Sequence, residues 1–479
     1  MIFEPMSRMF HPVFRNLWFW IFVFFAIRLI GITNPPLDTA HNWRQTTVTM
    51  VARNYVELND PFLYPRIDVA GEKSGITGME FPLFNYLIFL VSKLFGYAHW
   101  YGRLINLIVS SIGIAYFYKL LKILFSEQRA FIASMLLLGS IWFSYSRKIM
   151  PDTFAMSLTI LGLYHSLQFI LSGNYLKHLL PAIVLITLGI LSKLPMACAL
   201  PVLGLCFFKA DYSRKNTTIL FAALLPGLIT VYWYYYQWVP YLNQAFGFQH
   251  FFMGKSIQVG LKELWLNLPA VLEKFYLDAL HIVGFVFLLW GIIYMVKHRK
   301  KEQSTLGIFV VSSIAFGGIM ALSGTTFAIH SYYMIPFVPA MSLVAAVGIE
   351  QLPKTQWRYW ALAVIMIENV ANWQHDLFLH PSYAGFEQLE ISFNRLKAKR
   401  EDKVLVNSIS VPTPLYFAHK CGWSARNQDV ERPEFIDSLS RKGLKWYINA
   451  KTAFGHEATI TGYPKVDSNE FYDIYRIVK

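Results

Sequence analysis

Long apolar runs separated by short polar segments dominate the chain. A bilayer-spanning helix needs roughly 20 largely apolar residues, and such runs lie near 14–32, 104–121, 130–146, 153–171, 217–236, 279–296, 305–322, 333–350 and 357–373. A further apolar stretch, 181–208, is interrupted by Leu191-Ser-Lys-Leu-Pro195, which predicts two shorter helices meeting at a break. The pattern predicts a mainly α-helical, polytopic membrane bundle of about eleven transmembrane helices.

The apolar run from Phe81 to Phe95 decides the topology. It is only about 15 residues long and carries Asn85 and Lys93, and runs of this length are often interfacial or re-entrant. If it does not cross, the basic clusters between the spans all fall on the cytoplasmic side, as the positive-inside rule requires. These clusters are Arg8 and Arg15; Lys119, Lys122 and Arg129; Lys177; Lys209, Arg214 and Lys215; Lys297 to Lys301; and Lys354 and Arg358. The sequence therefore predicts an inside N-terminus, an outside C-terminus and a juxtamembrane helix at 81–95.

This topology places the polar loops on the outer face. They comprise about 33–102, 147–152, 237–277 and 323–332, the break near Lys193, and the tail after about 374. Within the first of these loops, the segment from Trp43 to Leu58 carries apolar residues along one helical face and Arg44, Gln45, Arg53 and Asn54 elsewhere. This periodicity predicts an amphipathic helix lying flat on the membrane surface.

The tail has the pattern of a separate small α/β domain. The predicted elements are an amphipathic helix near Phe386–Lys399, a strand Val404–Asn407, helices near Thr413–His419 and Pro433–Ser440, and strands Lys445–Asn449 and Tyr472–Val478. The sequence thus divides into a membrane catalytic domain, 1–373, which includes the first outer loop 33–102, and a soluble α/β domain on the outer face, 374–479.

Composition agrees with a membrane protein. The 479 residues are 55% hydrophobic, 17% aromatic and 15% charged, which is too apolar for a soluble chain of this size. The formal charge of +14 is explained by the cytoplasmic clusters, so no nucleic-acid partner is indicated. The three cysteines show neither a disulfide framework nor metal-type spacing.

Basic residues on the outer face oppose the positive-inside bias and need an explanation. They are Arg44, Lys73, Arg103, Arg147, Lys148, Lys193 and Lys255. Converging guanidinium and ammonium groups would hold a phosphate at headgroup depth; the alternative is snorkelling from helix ends to the interface. Lys193 needs a partner because it lies at a broken helix within apolar sequence, and a lipid phosphate is one candidate.

Three acidic residues accompany these cations: Asp38, Glu80 and Asp152. A carboxylate that accepts the proton of an attacking hydroxyl is the minimum for general-base transfer chemistry. The alternatives are that Asp152, after Pro151, caps a helix, and that Asp38 caps the helix that follows it. His41 with Asp38, Glu80 or His330 would also suit a divalent cation, but no spacing signature supports a metal over an unliganded histidine.

The last outer segment with candidate chemistry is His330-Ser-Tyr-Tyr-Met-Ile-Pro336, at the start of a span. Tyr332 and Tyr333 alone are ordinary membrane-interface residues. His330 beside them makes a phosphate or sugar contact reasonable. The sequence contains no Walker loop, nucleotide fingerprint or Ser-His-Asp order.

The order of these motifs resembles the GT-C glycosyltransferases, in the branch of the protein O-mannosyltransferases and lipid A aminoarabinose transferases. The resemblance covers roughly residues 10–350 and rests on five segments: Asp38-Thr-Ala-His-Asn-Trp-Arg-Gln45, Glu80-Phe-Pro-Leu-Phe84, Ser146-Arg-Lys-Ile-Met-Pro-Asp152, Leu191-Ser-Lys-Leu-Pro195 and His330 to Pro336. It implies transfer of a sugar from a polyprenyl-phosphate carrier on the outer face of the inner (plasma) membrane.

The resemblance also implies roles for individual residues. Asp38 corresponds to the catalytic aspartate, Asp152 to a second acidic residue that we also expect to be catalytic, and Lys193 with the Tyr332/Tyr333 region to the lipid-phosphate contacts. Asp38-Thr39 stands where eukaryotic mannosyltransferases have an aspartate-glutamate pair. The acceptor class, whether glycan, lipid or protein, therefore stays open.

The resulting hypothesis is an inverting transfer with Asp38 as general base. Lys193, Arg147 or Lys148, and Tyr332 or Tyr333 hold the departing lipid phosphate, while His41, Arg44, Glu80 and His330 contact the substrates. The alternative is a transporter or flippase for a lipid-linked sugar, which predicts charges along a path and a repeat between halves. A third reading is a non-catalytic membrane scaffold that presents the tail.

Overall fold

The computed structural model describes residues 12–38, 40–454 and 457–477, and most of these residues are helical. Arg8, Thr39 and Val478, at the end of the last predicted strand, lie outside the described residues. The mainly helical fold with a small C-terminal sheet confirms the predicted fold class.

The α-helices are numbered in chain order. The first eleven are α1 Leu17–Arg28, α2 Asn42–Leu58, α3 Leu83–Phe95, α4 Tyr101–Leu124, α5 Glu127–Gly139, α6 Trp142–Tyr145, α7 Pro151–Ser172, α8 Leu180–Ser192, α9 Arg214–Trp233, α10 Val239–Phe246 and α11 Ile257–Leu266. The others are α12 Leu268–Glu273, α13 His281–Lys297, α14 Gln303–Ser323, α15 Thr325–Ile329, α16 Val338–Glu350, α17 Thr355–Trp373, α18 Pro381–Ala384, α19 Leu389–Arg395, α20 Thr413–Ala418, α21 Asn427–Val430 and α22 Pro433–Ser440.

Tighter and wider helical turns join several of these helices. The 3-10 segments are Pro12–Arg15, Leu194–Phe208, Ser331–Met334, Gln374–Leu377 and Gly385–Gln388. The π-helical turns are Tyr175–Leu179, Tyr234–Trp238 and Lys274–Ala279.

Among the described residues, 5 helices are long and apolar enough to cross a membrane, or 6 if one pair bent by 99° counts as a broken span. They are Tyr101–Leu124, Pro151–Ser172, Tyr175–Ser192, Arg214–Phe246 and Gln303–Ser323, with Leu268–Ala279 and His281–Lys297 as the bent pair. Shorter apolar helices occur at Leu17–Arg28, Leu83–Phe95, Leu194–Phe208 and Val338–Glu350. The figure of eleven transmembrane helices stays a prediction.

The predicted break in the 181–208 stretch is confirmed. Helix α8 ends at Ser192, and Lys193 has an extended backbone with φ −158° and ψ 104°. The chain continues as a 3-10 helix of 15 residues that contains Pro201. Pro195 has no N–H to donate to the Leu191 carbonyl, and its ring would clash with that carbonyl in a continued α-helix, so Pro195 accounts for the interruption.

The chain forms two compact units, and the first comprises the described residues of 1–30, 103–234 and 252–374. Within its described part, α7 packs on α8, and α13 and α5 pack on α16. Glycines permit the close approach of α13 and α16, since a Cβ on Gly291 or Gly348 would lie 2.1 Å from the carbonyl oxygen of Val344 or Phe287.

The second unit comprises 31–102, 235–251 and 375–479. Its sheet has the order β2-β1-β3-β5-β4, in which β1 pairs in parallel with β2 and β3, and β5 pairs antiparallel with β3 and β4. The strands are β1 Lys403–Val406, β2 Gly422–Ser424, β3 Leu444–Ala450, β4 Lys465–Ser468 and β5 Tyr472–Arg476. The predicted tail strands correspond to β1, β3 and β5.

A shared hydrophobic core joins the first outer loop to the tail. Met50, Val51 and Tyr55 of α2 belong to the same buried cluster as Leu415 of α20 and Trp446 of β3. This grouping differs from the predicted division at 373, which placed the first outer loop with the membrane helices. The tail and this loop fold as one body because each supplies part of the other's core.

The predicted surface helix at Trp43–Leu58 exists as α2, but the expectation that it lies flat on the membrane is wrong. Both of its faces are buried in protein, and its polar face is satisfied by side chains of its own unit. Arg53 donates to Asp68 Oδ2 at 2.7 Å and to the Tyr416 carbonyl at 2.9 Å, and Asn54 donates to Asp68 Oδ1 at 3.0 Å. Buried polar groups need such partners, so the amphipathic pattern here marks an internal helix.

A histidine at the end of α20 bridges two carboxylates of the second unit. His419 Nδ1 lies 2.9 Å from Glu390 Oε1, and its Nε2 lies 3.0 Å from Glu57 Oε2. Arg400 also pairs with Glu57, and the charge of Arg53 acts on the imidazole. The hydrogen bonds to Glu390 and Glu57 raise the pKa of His419 above its ordinary 6.5, and the same bond lowers the pKa of Glu390 below 4.5.

This bridge predicts a pH-dependent stability of the second unit. The contribution of His419 is complete below its unfolded pKa of 6.5 and is lost as the pH rises through the raised folded value. The contribution of Glu390 is complete above 4.5 and is lost as the pH falls through its lowered value. The melting temperature of the wild type should therefore be lower at about pH 8.5 than at about pH 6, and this difference should disappear in His419→Gln. An equal difference in melting temperature in His419→Gln would contradict the assignment of the pH dependence to His419.

Candidate functional site

Asp38 is held by the first turn of α2. Its side chain is buried, at 6% exposure, and its Oδ2 accepts a hydrogen bond of 2.7 Å from Gln45 Nε2. Asn42 Nδ2 donates to the Asp38 main-chain carbonyl at 3.1 Å. His41, with a left-handed φ of 63°, occupies the N-cap position of α2. The capping alternative for Asp38 therefore does not describe this turn, where side chains of α2 orient the carboxylate.

Two further predicted residues of the second unit form a buried ion pair. Arg44 of α2 bonds to Glu80, which precedes α3, and both side chains are less than a tenth exposed. Burial, reinforced by the charge of Arg44, lowers the pKa of His250 to about 4, while Glu80 opposes the shift. His250 is thus a neutral imidazole close to this pair at neutral pH. The sequence analysis missed it because it stands in a loop without a motif.

The first unit contains a buried ion pair between Asp152 and Lys193. Lys193 Nζ lies 3.3 Å from Asp152 Oδ1, and the two side chains are 9% and 1% exposed. Asp152 lies in the first turn of α7, after the N-cap residue Met150, where a carboxylate also interacts favourably with the helix dipole. The partner that Lys193 requires is therefore a carboxylate of the protein, where the sequence analysis had suggested a lipid phosphate.

An aromatic stack lies against Lys193. Its Nζ is 5.0 Å from the centroid of the Tyr332 ring, a distance typical of a cation–π contact. Tyr332 stacks on His330 at 5.2 Å and on Tyr333 at 5.0 Å. Ser331 Oγ and the Tyr145 hydroxyl are 2.7 Å apart, which fixes the 3-10 turn carrying these rings. The structure thus brings His330, Tyr332 and Tyr333 together beside Lys193.

The predicted cations Arg147 and Lys148 are also buried, at 3% and 1% exposure. Arg147 donates to the Ile30 carbonyl at 2.8 Å, and Lys148 Nζ lies 5.6 Å from the Tyr145 ring centroid. Since the Tyr145 and Tyr332 rings are 6.3 Å apart, a row of two tyrosines leads from Lys148 to Lys193.

Asn106, within the span α4, holds the Arg147–Lys148 turn. Its Nδ2 donates to the carbonyls of Tyr145 and Lys148, each at 2.9 Å, and its Oδ1 accepts from Thr153 Oγ1 at 3.0 Å. The sequence analysis missed this residue, although an isolated amide within an apolar run is a signal that could have identified it.

The other basic residues that were predicted on the outer face have protein partners or are buried. Lys73 donates to the Gly247 carbonyl, Lys255 pairs with Glu263 at 2.5 Å, and Arg103 is buried in α4. Neither Lys73 nor Lys255 lies in the row of cations and tyrosines described above.

An apolar cavity of about 520 Å³ lies within the first unit. One wall is α7, beginning at Met156, one helical turn beyond Asp152. Other walls come from the 3-10 segment after Lys193, from α14, and from Pro336, four residues after Tyr332. Lys209 and Tyr212 also line the cavity. The segments that carry Asp152 and Lys193 thus continue into the cavity wall, at Met156 and at Cys198.

Across residues 12–38, 40–454 and 457–477, no group of three or more His, Cys, Asp or Glu side chains is arranged to hold a metal ion.

Comparison with known proteins shows a partial match to a family model and a shared fold. Residues 79–236, about a third of the chain, match the family model "Dolichyl-phosphate-mannose-protein mannosyltransferase". Comparison with curated proteins finds no match.

Two solved structures share the fold over most of the chain. ArnT from Cupriavidus metallidurans, bound to undecaprenyl phosphate, has a TM-score of 0.60 at 12% identity, covering 95% of this chain and 98% of that chain. The archaeal oligosaccharyltransferase AglB from Archaeoglobus fulgidus, in complex with an inhibitory peptide and a dolichol-phosphate, has a TM-score of 0.54 at 13% identity, covering 91% of this chain and 70% of that chain.

Proposed function

We propose that this chain, a multi-pass membrane glycosyltransferase of the GT-C fold, moves a sugar from a polyprenyl-phosphate donor to an acceptor hydroxyl with inversion at the anomeric carbon. The partial match to the mannosyltransferase family and the shared fold support the class of enzyme. The acceptor is a glycan, a lipid or a protein on the outer face of the plasma membrane.

One observation carries the proposal: the first unit holds both a buried cation and an apolar cavity, and two chain segments connect them. A polyprenyl-phosphate needs an apolar site for its chain and cationic donors for its phosphate, and the lining of the cavity of about 520 Å³ includes Met156, four residues after Asp152, and Cys198, five residues after Lys193. Its volume falls within the range of about 300–1,000 Å³ typical of ligand pockets. Lys148 and Arg147 supply further positive charge in the same unit.

The proposed step needs one base and a set of cations. The Asp38 carboxylate accepts the proton of the acceptor hydroxyl while that oxygen bonds to the anomeric carbon. The bond from the anomeric carbon to the phosphate oxygen breaks, and the polyprenyl phosphate leaves with the electron pair. Cations placed where this charge develops lower the barrier, which is the role proposed for Lys193, Arg147 and Lys148.

The other predicted residues take substrate contacts in this scheme. His330, Tyr332 and Tyr333 line the phosphate beside Lys193, and Asp152 orients that lysine. His41, Arg44 and Glu80 contact the acceptor or the sugar near Asp38. The charge of the leaving phosphate is met in this scheme by the ammonium and guanidinium groups.

Narrowing the cavity should weaken binding of the long-chain donor. Gly307 of α14 lines the cavity, and a Cβ there would lie in ordinary contact, 3.7 Å from Leu205. Gly307→Leu should therefore place its side chain in the chamber and lower the affinity for the polyprenyl donor about tenfold, by overpacking. The matched control is Gly317→Leu on the same helix, where a Cβ meets nothing within 4 Å.

The readout of this experiment is the dissociation constant of a polyprenyl phosphate, compared with that of a short-chain analogue. Gly307→Leu should raise the dissociation constant of the long-chain polyprenyl phosphate and leave that of the short-chain analogue unchanged. An effect of the same size from Gly317→Leu, or none from Gly307→Leu, would contradict this use of the cavity.

Mass spectrometry of the cell envelope tests the proposed function in cells. Cells with the wild-type chain should contain a glycan, lipid or protein carrying an added sugar that is lost in cells with Asp38→Asn. Identical envelopes in the two strains would contradict the proposal.

A further inference from the structure

A side-chain hydroxyl of the tail bonds to the turn that holds Asp38. Thr413, the first residue of α20, donates through Oγ1 to Asn42 Oδ1 at 3.0 Å. Thr413 Oγ1 also lies 3.1 Å from Thr46 Oγ1. Asn42 Nδ2 in turn donates to the Asp38 carbonyl. A chain of two hydrogen bonds therefore runs from the C-terminal domain to the proposed base, entirely within the second unit.

The hydroxyl of Thr413 satisfies the oxygen of the Asn42 amide. An amide presents an acceptor oxygen on one side and two N–H donors on the other. The Asp38 carbonyl can only accept, so it takes the amide nitrogen, and the amide oxygen then faces the Thr413 hydroxyl, which donates to it. Thr413 and Thr46 are fully buried, so water cannot substitute for the missing partner.

The helix that carries Thr413 is firmly attached to α2. Arg53 of α2 donates to the Tyr416 carbonyl, and its guanidinium lies 4.6 Å from the centroid of the Tyr416 ring. The hydroxyls of Tyr416 and Tyr97 are 2.7 Å apart. Asp68, which pairs with Arg53, also accepts from the Gly422 amide of β2 through its main-chain carbonyl at 3.0 Å. These contacts fix the position of Thr413 relative to Asp38.

We propose that Thr413 is a positioning residue for the general base, so that the C-terminal domain is part of the catalytic apparatus. This inference rests on the proposed function of Asp38. Misplacing a reacting group by about 1 Å costs on the order of 100-fold in rate. The domain acts by fixing the backbone of Asp38 through Asn42, while Gln45 holds the carboxylate itself.

Valine and serine at position 413 separate positioning from folding. Thr413→Val keeps the shape of the side chain and removes its hydroxyl, so kcat should fall about 10- to 100-fold with the KM for the donor unchanged. Thr413→Ser keeps the hydroxyl and should retain most of kcat. Thr452→Val is the control, since Thr452 bonds within the tail to the Ser382 carbonyl at 3.1 Å, and it should leave kcat unchanged.

A second variant keeps the test decisive if Thr413→Val folds poorly. Asn42→Ala removes the amide that connects Thr413 to Asp38, so by itself it should lower kcat about 10- to 100-fold with the KM for the donor unchanged. Where Thr413→Val folds, the two losses of kcat should not add in the double variant. Full kcat in Thr413→Val, equal losses in the valine and serine variants, or additive losses with Asn42→Ala would overturn the inference.

Asp38→Asn in the same assay distinguishes the two claims. If Asp38→Asn is inactive and Thr413→Val is fully active, the positioning role fails and the proposed function stands. If Asp38→Asn is fully active, the proposed function fails, and the role of Thr413 fails with it.

Discussion

Replacing Asp38 with asparagine is expected to lower kcat for sugar transfer by about 10²- to 10⁴-fold, the usual contribution of a general base. An amide does not accept the proton of the acceptor hydroxyl. The fold should persist, because an asparagine oxygen accepts the bond that Gln45 Nε2 now donates to Asp38 Oδ2 at 2.7 Å. Binding of the donor should persist as well, since the groups proposed to hold the lipid phosphate are other residues.

The measurement is single-turnover transfer in proteoliposomes, alongside the melting temperature. Asp60→Asn is the matched control from the same loop, because Asp60 accepts two bonds from Arg66, at 2.7 and 2.8 Å, and has no proposed chemical role. That variant should keep kcat. Transfer by Asp38→Asn within about twofold of the wild type would remove Asp38 as the base.

Replacing Lys193 with methionine is expected to have the second-largest effect, on stability and donor binding together. The ammonium pairs with Asp152 at 3.3 Å, and the two side chains are only 9% and 1% exposed. Removing one partner of a buried pair leaves an uncompensated charge, which costs about 3–5 kcal/mol. The leaving phosphate also loses a cation, so both the affinity for polyprenyl phosphate and kcat should fall.

A double variant separates these two effects of Lys193. Lys193→Gln with Asp152→Asn replaces both charges by amides, so it should recover most of the melting temperature while donor binding stays weak. Lys255→Met is the control: its pair with Glu263 is about a quarter exposed, so its loss should change the melting temperature little and leave donor binding intact. Recovery of donor binding in the double variant would show that Lys193 has only a structural role.

Local sequence signals predicted much of the fold. The apolar runs predicted a membrane protein, Leu194-Pro195 predicted the interruption after α8, and alternating patterns predicted β1, β3 and β5. Strands β2 and β4 were missed, because β2 has only 3 residues and β4 is mostly exposed without apolar alternation. Neither has a periodicity that a sequence pattern detects.

Long-range pairing accounts for the residues that the sequence misplaced or missed. The amphipathic pattern of α2 resembles that of a surface helix, and only its contacts with Asp68 and with Tyr416, 363 positions after Arg53, show that the polar face is internal. Asp152 and Lys193 were both candidates, but their pairing depends on how α7 meets the break after α8. Thr413 had no local signal at all, because its partner Asn42 is 371 positions away.

The central claim is tested most directly by following the carrier lipid during transfer. Purified protein in vesicles is given a polyprenyl-phosphate sugar with a ¹³C-labelled sugar and an extract of cell-envelope acceptors, and free polyprenyl phosphate is quantified by mass spectrometry. The account predicts release of polyprenyl phosphate in step with labelled acceptor by the wild type, and neither product with Asp38→Asn. Movement of the intact labelled lipid across the vesicle membrane, without its cleavage, would contradict it and indicate a transporter.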